Sequence, residues 1–215
     1  MKNNIVCISE NAFMSILISA IESYPSRFRG ERKPINSTEE GEVFGLLFGQ
    51  RSAKNNSVIY NVALAIPSQI LMYKNHCSVG PSQRHIEKIR DIIEAYPMYQ
   101  YLGSYHSHPF PRQEFKEGAA VHFSDQDEQS ALADSKSIDT DLIEVIIGLT
   151  HLTRKLTNVG PTPDWHYIQN YCGNYKYNLG AHVTDRENNC LRKIDNFLCP
   201  FATGINNCDL NSIRR

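Results

Sequence analysis

The sequence predicts a mixed α/β chain of the α+β or three-layer kind, a curved mixed sheet flanked by helices. Two observations carry this. Short β-branched and aromatic runs are joined by only two or three segments of helical period, and the two kinds do not alternate strictly as in a doubly wound fold. A length of 215 residues with 41% apolar and 21% charged residues suits one globular domain with room for an appendage. The domain is expected over residues 1–185, with a C-terminal extension over 186–215.

The elements follow in order. "NIVCIS" is short and β-branched, a first strand, and Ser9 then stands where a helix N-cap belongs. A helix over 10–23 would carry Phe13, Ile16, Leu17, Ile18 and Ile21 as its apolar stripe, with Pro25 closing it. Residues 24–41 form a polar loop with Arg27, Arg29, Arg32 and Lys33, either a solvated linker or a contact surface for an acidic partner. "EVFGLLFG" (42–49) and "SVIYNVALAIP" (57–67) flank the turn-like "AKNN" and should pair as a hairpin.

Residues 82–96 place Ile86, Ile89, Ile92 and Ile93 on one helical face, with Ser82 as cap. The strand "QYLGSYHSHP" should end at Pro109, which cannot donate to a ladder. A polar loop to Phe123 leads to Ser124, a cap for a helix through about 134. "LIEVIIGLT" (142–150) reads as a buried strand, and "DWHYIQ" with "YKYNLGAHV" as a strand pair. The tail after Asp185 carries few signals.

Several classes are disfavoured. A net charge of −1 argues against nucleic-acid binding through bulk charge. No run approaches the roughly 20 apolar residues that span a bilayer. Asn3, Asn4, Glu10 and Asn11 interrupt the N-terminal apolar stretch, so it does not read as a secretory signal, and a cytoplasmic protein without membrane contact is expected. The six cysteines form no CxxC pair and read as free thiols. A small structural metal site joining His182 to Cys172, Cys190, Cys199 and Cys208 stays open as an alternative.

The chemistry gathers around "YLGSYHSHPF". In a strand His106 and His108 share a face, with Ser107 turned to the other. Ser124 and Asp127 stand three apart at a helix start. A capping box explains them, and a carboxylate in the first helical turn is also kept ionised, as a metal ligand must be. Two imidazoles and one carboxylate make three protein ligands and leave a fourth position for water, the pattern of catalytic zinc sites. Such a site needs a base, and Glu42, opening an apolar strand, is the candidate. A charge capping a strand end in water is the plainer explanation of Glu42 taken alone.

Together these pieces resemble the JAMM metalloproteases, the MPN-plus or JAB-domain proteins, of the stand-alone prokaryotic type. The pattern is Glu42 with "EVFGLLFG", then His106-Ser107-His108-Pro109, then Ser124-Asp125-Gln126-Asp127, over roughly residues 5–180. The resemblance implies an MPN/JAB fold of cytidine-deaminase-like three-layer architecture. It also implies hydrolysis of the amide bond after the C-terminal tail of ubiquitin or a ubiquitin-like protein. His106, His108 and Asp127 would bind one Zn2+, Glu42 would act as base and Ser124 would steady the oxyanion or the water. The fifteen residues between His108 and Ser124 exceed the family's usual connector; we expect them to fold outward over the substrate groove, with His122 a loop residue. The alternatives are a JAB-type amidase on a small peptide conjugate and a non-catalytic MPN scaffold. A RadC-like association with DNA is disfavoured by the near-neutral charge. The sequence leaves oligomeric state open.

Overall fold

The computed structural model describes residues 3–25, 41–75, 78–116, 119–154 and 167–202. The basic cluster Arg27, Arg29, Arg32 and Lys33, together with Cys77 and Cys208, lies outside the described residues. In chain order the elements are β1 (Asn3–Ile8), α1 (Glu10–Glu22), β2 (Phe44–Lys54), β3 (Ser57–Pro67), β4 (Leu71–Asn75) and β5 (Ser78–Pro81). They continue with α2 (Gln83–Glu94), β6 (Gln100–Phe110), a 3-10 turn (Ala119–Val121), α3 (Asp125–Ile138), β7 (Ile143–His151) and β8 (Tyr167–Cys172). Last come β9 (Tyr175–Asp185), β10 (Cys190–Lys193) and β11 (Asn196–Leu198). The result is a mixed α+β fold, mostly sheet with three helices among the described residues. None of those helices is long and apolar enough to cross a membrane.

The main sheet runs β10-β9-β7-β6-β2-β3-β1-β11, with β8 also on β9, while β4 and β5 pair separately. β6 with β7 and β1 with both β3 and β11 are parallel; the other pairs are antiparallel. The hairpin expected of 42–49 and 57–67 forms as β2–β3. Of the expected pair of "DWHYIQ" with "YKYNLGAHV", residues 164–166 lie outside the described residues, while β8 pairs with β9 from Tyr167 on.

Alternation along the strands sorts side chains to two faces. On one face Leu47, Tyr105, Val145 and Leu179 meet Phe13, Ile16, Leu17 and Ala20 of α1. On the other Leu46, Phe48, Tyr101 and Leu142 meet Ile86, Ile89 and Ile93 of α2 and Ile138 at the end of α3. Helices therefore cover both faces of the sheet. Two apolar residues expected on these stripes are instead in water. Ile18 is 47% exposed because it stands about 140° around the helix from Phe13, and Ile92 is 65% exposed beyond the edge of the Ile86–Ile93 stripe.

Ser9 caps α1 as expected, accepting from Ala12 N at 3.3 Å. Ser82 precedes α2 but makes no side-chain cap bond; its hydroxyl lies 2.9 Å from His85 Nδ1 instead. β6 runs through Pro109 to Phe110, one residue further than a stop at the proline predicts. The reason lies in its neighbours. β7 continues beside it as far as Thr150, while β2 has already ended opposite His106, so no β2 carbonyl waits for a Pro109 N–H.

The stretch expected as an extension is built into the sheet over its described part. β10 extends the β9 edge, β11 pairs with β1, and Ile194, Phe197, Cys199 and Ala202 are core residues. These strands are three and four residues long, too short to show a period in the sequence.

Candidate metal centre

β6 delivers both histidines to the face covered by α2 and α3. His106 Nε2 and His108 Nε2 lie 3.1 Å apart, and His106 Nε2 lies 3.8 Å from Asp127 Oδ2. One ligand atom from each of these three residues falls within 4.8 Å of the others, so the group could hold a metal ion. A tetrahedral ion with ligands at about 2.0 Å has ligand–ligand edges of about 3.3 Å. The observed separations bracket that value.

Asp127 reaches the site because α3 begins there, and its start is fixed by a complete capping box. Ser124 Oγ accepts from Asp127 N at 3.2 Å, and Asp127 Oδ2 accepts from Ser124 N at 2.9 Å. The same Oδ2 accepts the Ser124 hydroxyl at 2.7 Å. The capping carboxylate is thus also a member of the group that could hold a metal ion. Ser124 spends its hydroxyl proton on Asp127 in this arrangement, so steadying an oxyanion would require that hydroxyl to rotate.

The electrostatics suit a cation. Burial, and then His108, pull His106 down to about 3, and burial lowers His108 as well, so both rings are neutral with a lone pair to give. Burial raises Asp127, but His106, the two Ser124 hydrogen bonds and His108 together hold it below the usual carboxylate range. The two Ser124 bonds act on Asp127 whether or not His106 carries a proton, so they help keep it ionised when the ring is neutral.

Glu42 lies just before β2 rather than within it. Ser107 N donates to Val43 O and Val43 N donates to Ser107 Oγ, both at 2.9 Å, which pins the backbone beside Glu42 against the metal strand. Its side chain is 8% exposed and lines the same cleft as the histidines and Asp127. Burial first, and the Asp127 charge second, push it up to about 8. The cleft, about 900 Å³, extends along β6 from Ser104 to Phe110. Five acidic side chains line it with no lysine or arginine among the lining residues, and burial keeps two of them, Glu42 and Glu144, protonated at neutral pH in the metal-free protein.

Sequence reasoning missed Glu144. It faces Ser104 across the β6–β7 pair, lines the cleft and accepts the Ser104 hydroxyl at 2.5 Å. Burial pushes it up to about 8 against the Ser104 bonds. "LIEVIIGLT" has one charge in an apolar run, and that misfit was the available signal.

The long connector divides in two. Arg112, Gln113, Glu114 and Lys116 are exposed, with Pro111 and Glu114 lining the cleft as expected. Ala120 and Val121 of its 3-10 turn are instead buried against β7 and β9, and His122 beyond them is exposed again. His122 is a cleft-lining loop residue outside the metal group. His182 packs its ring on Phe123 at 4.7 Å, and Cys7, Cys172, Cys190 and Cys199 are free thiols. Among the described residues no cysteine joins a metal group.

α3 is also held from behind. Glu128 Oε1 accepts Leu191 N of β10 at 2.9 Å, and Lys136 donates to Asn189 at 2.5 Å. Glu128→Ala should therefore cost roughly 1–2 kcal/mol and weaken metal binding, while Glu128→Gln, which keeps an acceptor, should restore most of both. Thermal melts and chelator competition read this; equal losses in the two variants would remove the bond to Leu191 as the cause.

The metal-free protein should carry a pH signature. Glu42 and Glu144 keep protons that the unfolded chain loses near 4.5, so each lowers stability as pH rises from there to about 8. His106 and His108 act oppositely. They stay neutral while the unfolded chain takes protons below 6.5, so their effect lowers stability as pH falls through that value. The effects oppose one another between 4.5 and 6.5, and from 6.5 to 8 the two glutamates dominate. We expect the melting temperature of metal-free protein to fall over pH 6.5–8 and Glu144→Gln to flatten that fall. An unchanged slope in the variant would rule Glu144 out as a source.

No family model matches the sequence, and no curated protein sequence matches it. Among solved structures it is similar to protein DSY2949 from Desulfitobacterium hafniense. That similarity has 14% identity and a TM-score of 0.49, over 90% of this chain and 92% of that one.

Proposed function

We propose that this chain is a zinc-dependent peptidase or isopeptidase of the JAMM type, cutting the amide bond after the C-terminal tail of a ubiquitin-like protein. The observation that supports it is the convergence of His106, His108 and Asp127 on one point, with the buried carboxylate of Glu42 lining the same cleft. Two neutral imidazoles and one ionised carboxylate form the donor set that zinc takes in catalytic sites. When bound, the ion supplies Lewis acidity, lowering the pKa of water and polarising a carbonyl.

The chain's own residues do the rest. Glu42 would accept a proton from water and return it to the leaving amine, a role supported by its place in the cleft lining and by the burial that raises its basicity. Asp127 is fixed as an anion by Ser124. The cleft extends along β6 on both sides of the histidines, which leaves room for chain on either side of a scissile bond. An extended tail lying beside the end of β6, where β2 has stopped, would bind through backbone hydrogen bonds, as in strand addition.

The test is incubation of purified, zinc-loaded protein with fusions of ubiquitin-like proteins, with and without chelator. Chelator-sensitive cleavage after the tail is expected. Failure to cut any fusion while a small peptide conjugate is cut would move the assignment to a JAB-type amidase.

A further inference from the structure

The 3-10 turn of the connector sits on the same sheet face as the two histidines, and two glycines make its seat. A Cβ on Gly148 would fall 2.4 Å from the Ala120 carbonyl oxygen and 2.5 Å from the Ala120 Cβ. One on Gly180 would fall 2.9 Å from the Val121 Cβ. Close-packed interiors do not tolerate such overlaps, so a side chain at 148 must push the Ala120 carbonyl away. Gly148 is the cross-strand partner of His108, so the carbonyl that Gly148 admits lies on the His108 side of the sheet, where as an acceptor it raises the pKa of that ring. Ala120 is 1% exposed, so water does not compete for that acceptor.

A neutral imidazole has one N–H and one lone pair, and the hydrogen bond made by one nitrogen decides what the other can do. The His108 nitrogen facing His106 is Nε2. We propose that the Ala120 carbonyl is a positioning group of the metal centre: it takes the His108 Nδ1–H, turns the Nε2 lone pair toward the metal position, and reaches the ring only because residue 148 is glycine. Without metal, the same lone pair accepts from His106 Nε2 across the 3.1 Å gap. The extra length of the connector has a use on this view. Its 3-10 turn lies against β7, β9 and β6, so that a backbone carbonyl reaches a ligand from behind. This rests on the zinc assignment above.

The experiment measures zinc affinity by chelator competition and the His108 ring nitrogens by long-range proton–nitrogen NMR, on wild type, Gly148→Ala and Gly180→Ala. In metal-free wild type His108 should carry its proton on Nδ1, protected from exchange. Gly148→Ala should lose about 10–100-fold in zinc affinity and mix the two tautomers, the usual loss when a partner behind a metal ligand is removed. Gly180→Ala presses on the Val121 side chain and should keep the His108 signature. Wild-type affinity and signals in Gly148→Ala would overturn the proposal. So would metal-free wild type with the proton on Nε2, a readout that stands even if Gly148→Ala does not fold. Wild type that binds no zinc but shows the Nδ1–H form would sink the zinc assignment and leave the Ala120 contact established.

Discussion

Asp127→Ala is expected to take the protein from about one zinc per chain to none, and cleavage to background. The substitution removes the one anionic ligand from a set of three, and two imidazoles alone do not hold zinc well against water. It also breaks the capping box of α3, which by itself costs about 1 kcal/mol. His108→Ala separates the two effects, since it deletes a ligand and leaves the cap intact. Metal analysis should find both variants empty, with only Asp127→Ala showing loosened α3 amides in hydrogen exchange. Wild-type protein purified without zinc, and unable to take it up, would end the metalloenzyme proposal.

Glu42→Gln should keep zinc and slow turnover by about 10²–10⁴, the range for loss of a positioned general base. The amide has the same shape, so the 8% exposed site should repack without strain. The sign of the pH effect follows from the same group. A base must be ionised, so activity should rise with pH through the Glu42 pKa. A bound dication favours the carboxylate and draws that value below the metal-free one of about 8. The rising limb should be lost or displaced in Glu42→Gln. Turnover equal to wild type with the same pH profile would take the proton-transfer role from Glu42.

The parts of the site legible in the sequence were those that local geometry dictates. Period-two alternation puts His106 and His108 on one face whatever the sheet around them, and the Ser124–Asp127 spacing defines a helix start without tertiary help. What stayed hidden depends on distant partners. The 3-10 turn at the end of the connector packs inward because Gly148 and Gly180, on strands further along the chain, leave it a notch. Pro109 stays in its strand because β2 stops early, and the role of Glu144 needs the parallel β6–β7 register. The last strands lacked both length and period. They are strands because β9 and β1 offer them ladders.

That last pairing has a kinetic side. Asn4 and Asp195, 191 residues apart, exchange two hydrogen bonds beside the β1–β11 ladder, at 2.7 Å and 3.0 Å. A ribosome delivers β1 well before its outer neighbour, so the nascent sheet keeps one open border until β11 emerges. Closing a loop of that size is slow compared with forming a local hairpin. For that interval the unpaired amides of β1 are a template that a second nascent molecule could find.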